Sequence, residues 1–424
     1  MTPGTGIPEP DIELAARLFG ELAARTGGED GITRTSYGSG EQIGHDLLRC
    51  QGERLRLRVE TDAACNLYLT LPGEHPGKRI IIGSHLDSVP RGGNFDGAAG
   101  VLCGLSVIAG LAAVGIRPPG DITVMAIRAE ESTWFPASYI GSRAAFGQLA
   151  GRELTGVRRI PDGMTLGEAI AASGGEVGRL SRGEAWLDPA DIRFFIEPHI
   201  EQGPCLVSEG MPIGIVTGIR GSFRHRSARC LGNTSHSGAT PRRLRRDAVV
   251  GAAELVMAMN RLWRTMEQDG DDLSVTFGKF ATDPAEHAFS KVAGQVDFAL
   301  DVRSQSTRTL DQVEGKLAEL AGQVSDRHSV QFDLGPRTGS QPALMDADII
   351  ASLQAACRAE AAAATTMPSG AGHDAAVFAD MGVPTGMLFI RNRNGSHNPD
   401  ESMDIEDLAV AARVLMRVCL EPPS

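Results

Sequence analysis

Four short apolar runs each lead into residues with reactive side chains. Arg79-Ile80-Ile81-Ile82 ends at Gly83-Ser84-His85, and Ile122 to Ile127 ends at Arg128-Ala129-Glu130-Glu131. Phe194-Phe195-Ile196 ends near His199, and Met387-Leu388-Phe389-Ile390 precedes a polar loop holding His397. The runs are continuously apolar, not alternating. That is the pattern of strands covered on both faces, as in a parallel sheet with helices on each side. Asp11–Arg25 supplies one such helix, with Ile12, Leu14, Ala15, Leu18, Phe19 and Leu22 on one side. In open α/β sheets, ligands bind beyond the carboxyl ends of the strands. An α/β fold with a polar site at its strand ends is therefore the first expectation.

The chain has 424 residues, which at roughly 150 residues per domain points to two or three. Hydrophobic residues make up 42% and charged residues 22%, so it is globular, not disordered. A net charge of −12 argues against binding nucleic acid or an anionic membrane. The seven cysteines include no CxxC pair and are odd in number, which favours a reducing, cytoplasmic setting over a disulfide framework. Met1-Thr-Pro-Gly-Thr-Gly-Ile-Pro has neither the basic start nor the apolar core of a signal peptide. Gly97–Ile116 is uncharged and long enough to cross a bilayer. Its five glycines and a serine, directly after Asn94-Phe95-Asp96, instead suggest a helix packed closely on a sheet.

The middle of the chain follows a different pattern. Phe223–Leu231, Leu273–Phe280, Gln295–Arg303 and Ser329–Leu334 read as strands. In Gln295–Arg303, Val296, Phe298, Leu300 and Val302 alternate with polar neighbours. Helices are expected from Thr240-Pro241 to about Trp263 and over Leu310–Val324. The order is βαββαβ, the ferredoxin-like arrangement. This predicts an insertion at 217–336 that splits the α/β domain into 1–216 and 337–424, with crossings at Gly214–Gly221 and Gly335–Pro342. Eight arginines fall between 220 and 246. With little aromatic interleaving, they read as a solvated face that attracts small anions, not as a nucleic-acid patch.

His85, Asp96, Glu131, His199 and His397 form a candidate metal-ligand set. Imidazoles with carboxylates suit zinc, manganese or cobalt. Two ions about 3.5–4 Å apart share a bridging carboxylate. Asp96, in Gly93-Asn94-Phe95-Asp96-Gly97, is the natural bridge. Asp87 is placed to fix the imidazole tautomer of His85. The residues alone do not divide the tasks of Glu130 and Glu131.

Seven motifs stand in order along the chain: Ser84-His85-Leu86-Asp87-Ser88, Asn94-Phe95-Asp96-Gly97, Glu130-Glu131, Glu197-Pro198-His199-Ile200-Glu201-Gln202-Gly203-Pro204, His236-Ser237-Gly238-Ala239-Thr240-Pro241, Ser369-Gly370-Ala371-Gly372-His373-Asp374 and Ser396-His397-Asn398-Pro399-Asp400-Glu401. From about residue 11 to about 420 the chain resembles the N-carbamoyl-L-amino-acid hydrolase and allantoate amidohydrolase family, a branch of the di-metal aminoacylase and carboxypeptidase-like superfamily. The resemblance implies a split catalytic domain and an inserted lid through which the chain forms a homodimer. It implies two divalent ions per subunit, one held by His85, Asp96 and His199, the other by Asp96, Glu131 and His397. Glu130 becomes the general base, and His236 the oxyanion donor reaching the other subunit's site.

The implied reaction is attack of a metal-bridging water on a linear amide or ureido carbonyl, with Glu130 moving the proton to the leaving nitrogen. The substrate is a small molecule with a carboxylate, which Arg303 matches as the family's carboxylate-binding arginine. Pairing with Asp301 two residues back is the alternative for that side chain. Gln202 matches a substrate contact, and His373 either a substrate contact or a support for the metal ligands. Ser290 departs from the pattern: the family usually has an asparagine there, and Ala293 replaces a usual proline. The shorter hydroxyl leaves space and one fewer donor, which bears on substrate identity. N-acyl-amino-acid deacylation or dipeptide cleavage on the same scaffold is the second reading. A non-catalytic ligand-binding protein is the third, and the intact Glu130 speaks against it.

Overall fold

The computed structural model describes residues 7–75 and 77–423. Met1–Gly6, most of the segment read above for a signal peptide, lie outside the described residues. The chain divides into two compact units, one of residues 1–217 and 345–424, the other of residues 218–344.

The larger unit is built on a sheet whose centre is four parallel strands, in the order Thr385–Ile390, Ile192–Ile200, Arg79–His85 and Ile122–Ile127. Leu67–Leu71 and Arg58–Thr61 extend one side in antiparallel fashion, and Ile213–Ile219 extends the other. Thus the crossing expected at Gly214–Gly221 is mostly strand. The run Ile213-Gly-Ile pairs with Leu388–Ile390 instead of turning.

Ile12–Thr26 forms the expected first helix, with Asp11 accepting from the Leu14 N–H at 2.9 Å as its N-cap. Ala98–Ala113 is a helix buried along nearly its whole length. Its glycines explain its close seat on the sheet. A Cβ at Gly100 would lie 1.9 Å from the Pro198 carbonyl oxygen, and one at Gly104 would lie 2.8 Å from Ile82. Among the described residues, no helix is long and apolar enough to cross a membrane. All seven cysteines are free thiols.

In the smaller unit the strands Ser274–Ala281, Gln295–Ser304, Gly221–Leu231 and Gln331–Asp333 lie side by side, all antiparallel. Helices Ala248–Gln268 and Thr307–His328 cover one face, their Leu255 and Leu317 packed in one core with Phe223, Val296, Phe298, Leu300 and Val302 of the strands. In chain order this is strand, helix, strand, strand, helix, strand.

Two boundaries differ from expectation. The first helix starts at Ala248, not Thr240, because the Asp247 side chain caps Val249 and Val250 at 3.1 and 3.2 Å. Pro241 opens only the short 3-10 turn Arg242–Leu244. The unit also runs on to Leu344, past the expected end at 336, because Arg337–Ser340, inside the expected crossing Gly335–Pro342, pairs with Ser222–His225. His225 is buried and bonds through Nδ1 to the Leu334 carbonyl at 3.1 Å.

Candidate metal centre

His85 is the last residue of the Arg79–His85 strand, and His199 lies near the end of the adjacent Ile192–Ile200 strand. Asp96 stands in the loop just before the buried helix that starts at Ala98. His199 Nε2 is 3.1 Å from Asp96 Oδ1, and His85 Nε2 is 3.7 Å from the same oxygen. On the other side, His397 Nε2 lies 3.3 Å from Asp96 Oδ2 and 3.6 Å from Glu131 Oε1. Two donor sets therefore share Asp96: His85, Asp96 and His199, and Asp96, Glu131 and His397.

The donor chemistry fits divalent cations. His85 Nδ1 is 3.0 Å from the Asp87 carbonyl, and His199 Nδ1 is 2.8 Å from the Ile200 carbonyl. A carbonyl only accepts, so each Nδ1 carries a proton, and in the neutral ring that metal binding requires each Nε2 turns its lone pair inward. Those two Nε2 atoms are 3.4 Å apart. Asp96 Oδ1 beside them is buried without a hydrogen-bond partner. Two lone pairs and an orphan carboxylate oxygen converging in a buried space repel one another, and a cation relieves that repulsion.

Asp87 organises one wall. Its Oδ1 is 3.3 Å from His85 Nδ1, and its two oxygens accept the Glu130 and Glu131 backbone N–H groups at 3.2 and 3.1 Å. Ala129 takes a left-handed φ of 54° to turn the chain into this pair. It is held there by Glu41, which accepts the Ala129 N–H at 2.9 Å and pairs with buried Arg128 at 2.8 Å. Burial pushes the Glu130 carboxyl well above the usual carboxylate range, against the pull of His85. Gln202 and His397 also take left-handed φ, at 63° and 61°. Strain of this kind collects where a fold holds functional side chains.

Glu401 and Arg34 were not among the expected site residues. Glu401 Oε1 accepts the Phe95 and Asp96 N–H groups at 2.9 and 3.1 Å, and its Oε2 lies 2.5 Å from Ser396 Oγ. Ser396 Oγ is also 2.7 Å from Asp96 Oδ2. Glu401 thus ties the loop of Asp96 to the loop of His397. Arg34 is wholly buried and donates to the Leu86 carbonyl at 2.7 Å and to Asn94 Oδ1 at 3.1 Å. Glu401 stands in a quoted motif, but Arg34 carries no sequence signal, since an arginine in a loop is ordinarily solvated.

The remaining expected residues lie as follows. Gln202 Nε2 donates to Asp96 Oδ2 at 2.9 Å, so its amide sits against the shared carboxylate. His373 packs edge-on to His199, with ring centroids 4.5 Å apart, and contacts Ser369 Oγ through Nε2 at 2.9 Å. Glu197, His199 and His373 also cluster, but Glu197 already accepts from Ser84 Oγ and the Ala375 N–H. In the smaller unit, Ser235-His236 pairs with Lys291-Val292, and the Ser290 carbonyl accepts the Ser237 N–H at 2.7 Å. His236 and Ser290 are thereby neighbours. His236 is exposed, and its Nδ1 accepts the N–H groups of Gly238 and Ala239 at 3.2 Å each. That fixes the proton of the neutral ring on Nε2, pointing a donor outward. Arg303 forms the ion pair with Asp301, Nη2 to Oδ2 at 2.7 Å.

Comparison with known proteins turns this geometry into a lineage. The model of peptidase family M20/M25/M40 matches residues 81–421. The chain belongs to that family. It is 33% identical over 414 residues to an N-carbamoyl-L-amino-acid amidohydrolase of Paenarthrobacter aurescens, covering 97% of this chain and 98% of the relative. It is 35% identical over 364 residues to an allantoate amidohydrolase of Escherichia coli (strain K12), covering 85% of each. Among solved structures, an amidase of the hydantoinase/carbamoylase family from Burkholderia multivorans superposes with a TM-score of 0.87 at 27% identity, covering 97% of this chain and 98% of that one. In this M20/M25/M40 chain, the two donor sets around Asp96 are built from the motif residues that carried the resemblance.

Proposed function

We propose that this chain is a dinuclear metal-dependent amidohydrolase that cleaves a linear C–N bond of a ureido acid, an N-carbamoyl-L-amino acid or allantoate. The observation that carries the reading is the pair of buried donor sets sharing Asp96. The names of its M20/M25/M40 relatives supply the substrate class.

His85, Asp96 and His199 would hold one divalent ion, and Asp96, Glu131 and His397 the other, as zinc, manganese or cobalt. Bound there, the ions would lower the pKa of a water toward neutrality and polarise the carbonyl it attacks. Glu130 takes the proton of that water and hands it to the leaving nitrogen. Asp87 keeps His85 in the tautomer that offers Nε2 inward. His236 Nε2–H is the donor for the developing oxyanion. Arg303, oriented by Asp301, takes the substrate carboxylate. Gln202 and Ser290 meet the ureido group, and His373 braces His199. Hydrolysis of the carbamoyl group yields the amino acid, ammonia and carbon dioxide. The smaller unit is read as a ferredoxin-like lid through which two chains dimerise, and the enzyme as cytoplasmic.

A substrate comparison tests this. The protein, reconstituted with zinc, manganese or cobalt, is offered N-carbamoyl amino acids, allantoate and N-acyl amino acids. Ammonia release from a ureido acid is expected. Acyl cleavage without ammonia from any ureido acid would transfer the assignment to a deacylase or dipeptidase.

A further inference from the structure

The helix-free face of the smaller unit carries a groove of about 410 Å³ lined by Arg224, Arg226, Arg303, Asp301, Thr276 and Gly278, with Ala299 in its floor. Its charges do not balance. Asp301 is shared by two arginines: Arg224 Nε reaches its Oδ1 at 3.1 Å, and Arg303 Nη2 reaches its Oδ2 at 2.7 Å. Arg226 is exposed and forms no ion pair among the described residues. Three guanidinium groups against one carboxylate leave two positive charges in the groove.

The backbone is shaped around the same spot. The Gln295–Ser304 strand loses register with both neighbours at Ala299. Against one, pairing jumps from Phe277–Leu300 to Lys279–Ala299, leaving Gly278 over. Against the other, it jumps from Phe298–Ala228 to Leu300–His225, leaving Arg226 and Ser227 across from Ala299. Bulges re-aim side chains and gather beside functional sites. Here two flank one residue. The floor they make is low, since Ala299 is small and a Cβ on Gly278 would meet nothing within 4 Å.

A ureido acid with one carboxylate neutralises one of the two surplus charges. We infer that the groove around Arg303, Arg224 and Arg226 takes substrates with a second carboxylate, so that the preferred ureido acid derives from a dicarboxylic amino acid. Arg303 holds the α-carboxylate and Arg226 the side-chain carboxylate, while Asp301 keeps Arg224 and Arg303 extended in the groove. The inference rests on the proposed amidohydrolase reading and on the role given there to Arg303.

The test compares kcat/KM of the metal-reconstituted full chain on N-carbamoyl-L-aspartate and on the near-isosteric, singly charged N-carbamoyl-L-asparagine. A charge-assisted contact with a guanidinium should favour the acid by roughly tenfold or more. Arg226→Gln should bring the ratio toward unity, mainly through the KM of the acid. If the wild type hydrolyses both equally, or if Arg226→Gln leaves a strong acid preference intact, the inference is overturned and the amidohydrolase reading stands. If neither compound releases ammonia and no other ureido acid does, the amidohydrolase reading fails. Thermal-shift titration of the intact protein with succinate and acetate then decides the groove. Preference for succinate that Arg226→Gln removes supports it, and equal binding refutes it.

Discussion

At the scale of single residues, the chemistry divides between groups that meet reactants and groups that hold them. Glu130 is proposed as a proton carrier and Glu401 as a holder, and they should fail differently. Glu130→Gln keeps the backbone N–H that bonds Asp87 but loses the proton acceptor. Turnover should fall by about 10²–10⁴-fold, while metal content measured by elemental analysis stays at the wild-type level. Retained activity would give the base role to another group. Glu401→Gln leaves the fold's volume unchanged, but one carboxylate oxygen that accepts two backbone N–H groups or faces Ser396 becomes an NH₂ donor. Metal affinity should drop by roughly 10–100-fold, read by equilibrium dialysis and by the visible spectrum of a cobalt-loaded protein. An unaltered cobalt spectrum with full loading would show that Glu401 does not position Asp96. The candidate donors His85, Glu131, His199 and His397 were legible because imidazole and carboxylate side chains stood where apolar runs stopped, and Asp96 because it opened a long uncharged segment. The roles of Arg34, Glu41 and Glu401 were not, because they come from segments that meet only in three dimensions, such as Glu401 against Phe95 and Asp96, 305 or more residues away.

At the scale of elements, the buried helix Ala98–Ala113 couples packing to the metal centre. Gly100 touches the carbonyl of Pro198, the residue before His199. Gly100→Ala would put a Cβ 1.9 Å from that oxygen, and neither backbone can yield cheaply. Overpacking of this kind costs about 1–3 kcal/mol or more, so the midpoint of thermal unfolding should fall. Because the strand carrying His199 must shift, metal loading should fall too. A loss of stability with normal loading would mean the helix moves and the strand does not. The strands of the central sheet were readable from their continuous apolar runs, and the register alternation of Gln295–Ser304 was readable from its polar partners. Helix starts were less so. Thr240-Pro241 resembles a helix opening, yet Asp247 wins because its side chain accepts the Val249 and Val250 N–H groups, whereas Pro241 has no side-chain acceptor to offer a first turn. Ile213–Ile219 looked like a crossing because its two glycines weigh toward turns, but tertiary pairing with Thr385–Ile390 overrides that local preference.

At the scale of the whole molecule, catalysis as proposed needs groups from two chains, with Glu130 from one subunit and His236 from its partner. The support lies in the ring itself. His236 is exposed in the smaller unit, and two backbone N–H groups at Nδ1 commit its proton to an outward Nε2. Among the described residues this donor meets no acceptor, which suits a site that another chain completes. A symmetric dimer has two equivalent sites, each drawing on both subunits. In a heterodimer of Glu130→Gln and His236→Ala chains, one site then carries both lesions and the other carries neither. Each variant homodimer alone should be nearly inactive. Mixed, dissociated and reassociated at equal amounts, half the dimers are heterodimers with one intact site of two, so activity should recover to about a quarter of wild type. If His236 serves its own chain, every site in every dimer keeps one lesion, and mixing restores nothing. Size-exclusion chromatography of the mixture separates that outcome from failure to form dimers: a dimer without recovery places His236 in cis, and a monomer that turns over removes the partner from the mechanism.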